Sequence, residues 1–294
     1  MAVIAIDIGG TKIKAALVNT NYQILKSIKV PTRKQKGRAY VLATIDLFIE
    51  SLLQSKDNIT GIGISAPGIF SSEGKYLFAG GALSFLVGTN IKLRLEKKFK
   101  LPVVLANDAD CFTLAESSLG SFSKAKKILG IIWGSGLGAG AASKSGKHSW
   151  KLLDVPLEIG HTFVVHPKTK KLVKRETLVG GMYLLKQYNK LSKEKAATVA
   201  DIYSSSNKHA KQIMNTAIDE LGKVLGNLTT TFQPDIIVLG GGVSQLPKPV
   251  YIRLTTLLKK YSLPACSKGV QLKKYSIAND AGLLGAAILA SKKR

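Results

Sequence analysis

Asn107 and Asp108 stand where an apolar, strand-like run ends and a helix-like run begins, in VVLANDADCFTLAE (103–116). A carboxylate there can take a proton from a hydroxyl within hydrogen-bond reach. The neighbouring amide can donate to and accept from further hydroxyls. The pair suits a helix cap equally well on the residues alone. EIGHTFVVH (158–166) adds Glu158 and His161, a carboxylate and an imidazole around an Ile-Gly step, able to hold vicinal hydroxyls. A lone histidine is more often a satisfied structural one.

Glycine turns point to a second chemistry. In DIGGTK (7–12), Gly9 and Gly10 are free to take backbone angles that other residues avoid. Their amides can then face phosphate oxygens beside the Thr11 hydroxyl and the Lys12 ammonium. Asp7 stands at the strand end, placed to orient Mg2+ through water. GSGLGAG (134–140) repeats the device with Gly134, Ser135 and Gly136, and GGG (240–242) brings Gly240 and Gly241 to the end of another buried run, suited to a flat ligand. A single Gly-Gly turn is usually only a turn. Three of them, each ending a very apolar strand, argue for phosphate binding together. No G-x-x-x-x-G-K-S/T occurs, and neither of the first two turns has the G-x-G-x-x-G spacing followed by a helix, so a P-loop and a dinucleotide fold are disfavoured.

The elements that position these residues alternate. Strands are expected over 3–8, 12–19, 23–30, 59–70 as far as the Pro-Gly break, 101–107, 127–142 (interrupted by the second turn) and 234–244. Helical spacing covers 40–54, 91–99, 109–117 up to Gly120, 210–232 and 280–292. Strands alternating with helices mean an α/β fold, and two strand–turn–strand units mean two lobes with a cleft between them. The chain is expected to change lobe near 118–125.

A core is affordable, since 45% of the 294 residues are hydrophobic. No apolar run reaches the roughly 18–20 residues that cross a bilayer. MAVIAIDIGG does not read as a signal peptide, and Cys111 and Cys266 are too few for a disulfide framework or a cysteine-based zinc site. A cytoplasmic protein without membrane partners is expected. With 43 basic against 18 acidic residues, the net charge is +25 and attracts polyanions. The lysines are scattered, with no basic arm and no aromatic interleaving, so no specific nucleic-acid partner is expected.

Jointly, AIDIGGTKIKAALV, GIGISAPG, LPVVLANDADCFTLAE, GSGLGAG, EIGH and NLTTTFQPDIIVLGGGVS resemble the ROK family of bacterial sugar kinases, in family order over residues 3 to about 287. The resemblance implies a two-lobed actin-like ATPase (ribonuclease H-like) fold with a central cleft. Its smaller lobe would be 1–118 joined by a closing helix at 280–294, and its larger lobe 119–279. It implies ATP and Mg2+ as cofactors, a hexose such as glucose as acceptor, Asp108 as catalytic base, and a homodimer. Asn107, Glu158, His161, Glu176 and Gly68 would contact the sugar. The chain departs from the family twice. HPKTKKLVKRE (166–176) lacks the cysteine cluster that joins the histidine in a zinc site, so no zinc is expected despite His161 and His166. GGALSFLVGTN (80–90) has Gly81 or Ala82 and Leu86 where many members carry a sugar-binding Asn and a Trp, which leaves Ser84 as a substitute grip. Polyphosphate-dependent glucokinases of the family share the missing cysteines and are the alternative reading of the donor. Sugar-sensing regulators of the family, the alternative of another class, carry a helix-turn-helix ahead of the first glycine turn; with Asp7 almost at the N-terminus, an enzyme is expected instead.

Overall fold

A computed structural model of the chain describes residues 1–55, 57–122, 124–145, 150–153, 156–277 and 280–292. The last two positions of the expected closing helix, 293 and 294, lie outside the described residues. The chain forms two compact units, Met1–Ala115 with Ile277–Arg294, and Glu116–Ser276.

In the first unit, β1 (Ala2–Ile8), β2 (Lys12–Asn19) and β3 (Ile24–Pro31) form an antiparallel meander. After α1 (Gly37–Leu53), β4 (Ile59–Ala66) returns parallel to β1. A small pair, β5 (Ile69–Phe70) and β6 (Tyr76–Phe78), precedes α2 (Ile91–Phe99), and β7 (Val103–Asn107) runs parallel to β4 and feeds α3 (Asp108–Leu119). The sheet order is β3-β2-β1-β4-β7. Both faces are covered, which is why β1 reads as an unbroken apolar run apart from Asp7. On one face α1 presents Val41, Ile45, Phe48, Ile49 and Leu52, a helical stripe. On the other, the closing helix Ala281–Lys292 packs Leu283, Ala286, Ala287 and Ala290 against Val3, Ala5, Ala16, Val18 and Cys111. The approach is close. A Cβ on Gly285 would lie 1.9 Å from the Cys111 carbonyl oxygen, and one on Gly63 would lie 2.0 Å from that of Ala286.

In the second unit, β8 (Lys127–Trp133), β9 (Leu137–Lys144) and β10 (Trp150–Leu152) repeat the meander. A hairpin of β11 (Phe163–Val165) and β12 (Leu172–Lys174) follows, then α4 (Glu176–Val179), α5 (Gly181–Leu191), α6 (Val199–Ser204) and the long α7 (Lys208–Phe232). β13 (Ile236–Gly240), α8 (Lys248–Lys260), α9 (Pro264–Ser267) and β14 (Gln271–Lys274) complete the unit. The order β10-β9-β8-β13-β14, with β13 parallel to β8 and to β14, has the topology of the first sheet. Its core gathers α5, α7 and α8 around Trp133, whose buried indole donates to the Val179 carbonyl at 2.8 Å. Helix α3 begins at Asp108 itself, one residue before the expected start. The strand expected over 234–244 ends at Gly240, because Gly241 turns with φ +86° into a short 3-10 turn at Gly242–Gln245.

Candidate active site

In the first unit, β1, β4 and β7 run parallel, so Asp7, Ala66 and Asn107 come to one edge of the sheet. Ligands of open α/β sheets bind at the carboxyl ends of strands, which is this edge. Asp7 lies opposite Lys14 on one side and Ser65 on the other. The Ser65 hydroxyl donates to its Oδ1 at 2.8 Å, and Lys14 pairs with Asp280. Burial pushes the Asp7 carboxyl above the ordinary aspartate range; the Ser65 bond and the Lys12 charge oppose the rise. A Cβ on Gly282 would lie 3.1 Å from both Asp7 Oδ1 and Ser65 Oγ. A hydrated dication relieves a desolvated carboxylate of this kind, and Mg2+ ordinarily takes one or two carboxylates plus waters and phosphate oxygens. Asp7 fits that role.

The turn after β1 is held by Thr32, which follows β3. The Thr32 hydroxyl donates to the Gly9 carbonyl at 2.6 Å, and the Thr32 amide donates to the Thr11 carbonyl at 3.0 Å. Thr32 is fully buried, and nothing in PTRK marks it in the sequence. Here the structure differs from the sequence-based expectation. Neither Gly9 nor Gly10 takes a left-handed φ; what Gly9 supplies is room, since a Cβ there would lie 3.1 Å from the Lys12 carbonyl oxygen. The Gly9 amide donates to that carbonyl at 2.9 Å and is not turned toward a ligand. In the same turn Gly10 is half-buried, and Thr11 and Lys12 are exposed.

At the corner between β7 and α3, both readings of Asn107-Asp108 have a footing. Asn107 Oδ1 accepts from the Ala109 amide at 2.8 Å, which caps the helix, and its own amide donates to the Gly68 carbonyl at 3.0 Å. Asp108 Oδ1 accepts from the same Ala109 amide at 3.0 Å. Asn107 is buried and Asp108 half-buried, so the carboxylate is the more open of the two. Gly68 has φ +135°, and a Cβ there would meet the Phe78 carbonyl oxygen at 2.4 Å and the Tyr76 ring at 3.3 Å. The structure thus brings Gly68, Asn107 and Asp108 together. The Tyr76 hydroxyl is buried beside them without a hydrogen-bond partner among the described residues. Burial, and then the Asp108 charge, push it well above the ordinary tyrosine range. In the 80–90 segment, Leu86 is fully buried, Ser84 is exposed, and Arg38 donates to the Phe85 and Val87 carbonyls at 2.8 and 3.1 Å.

In the second unit, the turn after β8 packs on the start of α5. The Gly181 and Met182 amides donate to the Gly134 and Ser135 carbonyls at 2.8 and 3.0 Å. Gly240 is buried, and a Cβ on Gly241 would strike the Trp133 carbonyl oxygen at 2.5 Å and the Gly134 nitrogen at 2.9 Å. Gly241 is therefore a packing glycine. Gly242, where a Cβ would meet nothing within 4 Å, is the open one. A Cβ on Gly136 would lie 3.1 Å from Glu176 Oε2, which links this turn to the carboxylate cluster.

That cluster centres on His161. Its Nδ1 lies 3.3 Å from Glu158 Oε2 and its Nε2 lies 4.0 Å from Glu176 Oε1, all three side chains being partly exposed. Burial pushes Glu158 above the ordinary glutamate range; His161 opposes the rise and the Glu176 charge adds to it. Two carboxylates and an imidazole converging from two segments can accept from and donate to adjacent hydroxyls of one polyol. The ring nitrogens of His161 face carboxylates, and His166 Nδ1 accepts from the Lys168 and Thr169 amides at 3.2 Å each. Among the described residues, no group of three or more His, Cys, Asp or Glu side chains is placed to hold a metal ion, and no helix is long and apolar enough to cross a membrane.

A family model described as the ROK family matches residues 3–293. The chain is 27% identical to a glucokinase of Halalkalibacterium halodurans, over 96% of this chain and 92% of that protein. It is 29% identical to a β-glucoside kinase of Listeria innocua, over 97% of this chain and 96% of that protein. Its structure is similar to that of a ROK family glucokinase from Streptomyces griseus in complex with glucose and AMPPNP, with TM-score 0.78 at 23% identity, covering 99% of this chain and 100% of that one. The fold is the α/β, actin-like ATPase fold.

Proposed function

The chain belongs to the ROK family, and on that premise we propose that it is a sugar kinase, passing the terminal phosphoryl group of ATP to a hydroxyl of glucose or a closely related hexose. The observation that carries the reading is the corner at Asn107-Asp108. A half-buried carboxylate stands at the ligand-binding edge of the sheet, beside an asparagine tied to Gly68. In the proposed reaction, Asp108 takes the proton of the acceptor hydroxyl as that oxygen forms its bond to phosphorus and the ADP oxygen departs. Glu158, His161 and Glu176 hold neighbouring hydroxyls of the sugar. Lys12, with the amides of Gly10, Thr11, Ser135 and Gly136, would hold the phosphates, and Asp7 would hold Mg2+. When bound, the ion supplies neutralisation of charge across the phosphate oxygens.

The net charge of +25 favours a second donor, polyphosphate, which would use the same cradle without a base pocket. The deciding experiment is a panel of glucose, mannose, N-acetylglucosamine and N-acetylmannosamine crossed with ATP and polyphosphate, followed by sugar phosphate formed. Phosphorylation of glucose with ATP is expected. Turnover with polyphosphate alone would replace the donor, and no sugar phosphate from any combination would end the kinase reading.

A further inference from the structure

Glu220 lies on α7, far in sequence from every residue discussed above, and is 2% exposed. A carboxylate removed from water this completely needs compensating charge. Lys223, one turn on, reaches Oε1 from the surface side. Oε2 accepts no hydrogen bond among the described residues and faces the Arg175 guanidinium at 3.6 Å. Arg175 immediately precedes Glu176. Its Nε donates to Thr162 Oγ1 at 3.1 Å and its amide to the Thr162 carbonyl at 2.8 Å. Thr162 immediately follows His161, and its hydroxyl donates onward to the Ile159 carbonyl at 2.7 Å.

We propose that Arg175 is a positioning residue, the middle of a strap running Glu220–Arg175–Thr162–Ile159 that fixes the spacing between Glu176 and the Glu158–His161 turn. Lys223 meets only Oε1, so the guanidinium cannot swing away without leaving the buried Oε2 with no facing charge, and the charge on α7 sets where residue 175 lies. The backbone bond and the Nε bond carry that placement across to residue 162. The two sugar-holding segments stand on different elements, the 3-10 turn at 159–161 and α4, joined along the chain by the short β11–β12 hairpin. The inference rests on the sugar-holding role proposed for Glu158, His161 and Glu176.

The test compares Arg175→Met, Arg175→Lys, Thr162→Val and the paired Arg175→Met/Glu220→Gln with the wild type. Arg175→Met alone risks folding because it leaves the buried Glu220 Oε2 with no facing charge. The paired variant removes both charges, and Thr162→Val cuts the strap at its exposed end. Three readouts apply: calorimetric binding of glucose and N-acetylglucosamine, KM for sugar against KM for donor, and amide NMR signals of residues 158–162 and 176. We expect the paired variant and Thr162→Val to weaken sugar binding and raise sugar KM about tenfold or more, with donor KM within about twofold, and to broaden those amide signals. Arg175→Lys should recover part of the loss, since it keeps the charge without the fork. A folded paired variant with wild-type sugar affinity and unchanged amide signals overturns the strap. If the wild type binds neither sugar, the sugar-site reading fails by itself. The amide signals then decide the strap, broadening in the variants supporting it and no change overturning it.

Discussion

The Asp108 carboxylate accepts from the Ala109 amide at its Oδ1. Asparagine at 108 keeps an oxygen for that bond, so the start of α3 survives while the proton acceptor is lost. Asp108→Asn should therefore fold normally, bind sugar with little change, and lose about 10²–10⁴-fold in kcat; a kcat near that of the wild type removes Asp108 from the chemistry. Asp7 makes an opposite kind of prediction, about stability. Its carboxyl is raised above the ordinary 3.8 by burial, so the folded protein holds that proton more tightly than the unfolded chain. The associated stability is full below the unfolded value and is lost as pH rises through the folded one. Asp7→Asn imitates the protonated state. It should melt higher than the wild type at pH 7, melt alike near pH 3, and lose turnover with Mg-ATP. A variant less stable than the wild type at pH 7 would show that the Lys12 and Lys14 charges outweigh burial.

At the scale of elements, glycines divide into those that admit a ligand and those that admit a neighbouring element. Gly285 belongs to the second kind, and Gly285→Ala should destabilise the first unit by about 1–3 kcal/mol through overpacking against Cys111, read from denaturant midpoints. Gly241 is also of that kind, and a side chain there would disturb Trp133 and Gly134 whatever the donor. Gly242→Val is the informative change: it should raise the KM for ATP about tenfold if the base lies over this turn, leaving sugar KM alone. A KM for ATP that does not move places the base elsewhere. Much of this architecture was legible beforehand, because β1, β8 and β13 are covered on both faces and read as apolar runs stopped by glycine. Residues 145–207 carried no such signal. The β11–β12 hairpin is short and half-exposed, and Arg175 looks like one more basic residue in KTKKLVKRE. Its meaning comes from Glu220, which in the sequence is an ordinary acidic position of an amphipathic helix. Thr32 escaped for the same reason, since its partners are carbonyls of a turn from another strand.

For the molecule as a whole, a formal charge of +25 means that like-charge repulsion exceeds what its ion pairs return. Salt shortens the reach of that repulsion to about 8 Å at physiological strength. Melting temperature should rise with added NaCl from low ionic strength, and any turnover with polyphosphate should fall with salt more steeply than turnover with ATP. A melting temperature that is flat in salt would mean the charges are already paired or well separated. The α/β class and the alternation of strands and helices could be read from the sequence at this scale; the identical strand order of the two sheets could not, because their pairing partners lie far apart along the chain. One consequence concerns biosynthesis. The strands of the first sheet are made before the second unit, yet one of the sheet's faces is closed by Ala281–Lys292, made after the whole of that unit. Until then Val3, Ala5, Ala16, Val18 and Cys111 lack the cover of that helix. The nascent chain must carry an unfinished apolar sheet through the synthesis of the second unit, which makes this face a natural client surface for a chaperone, and Cys111 a thiol whose protection reports the moment of completion.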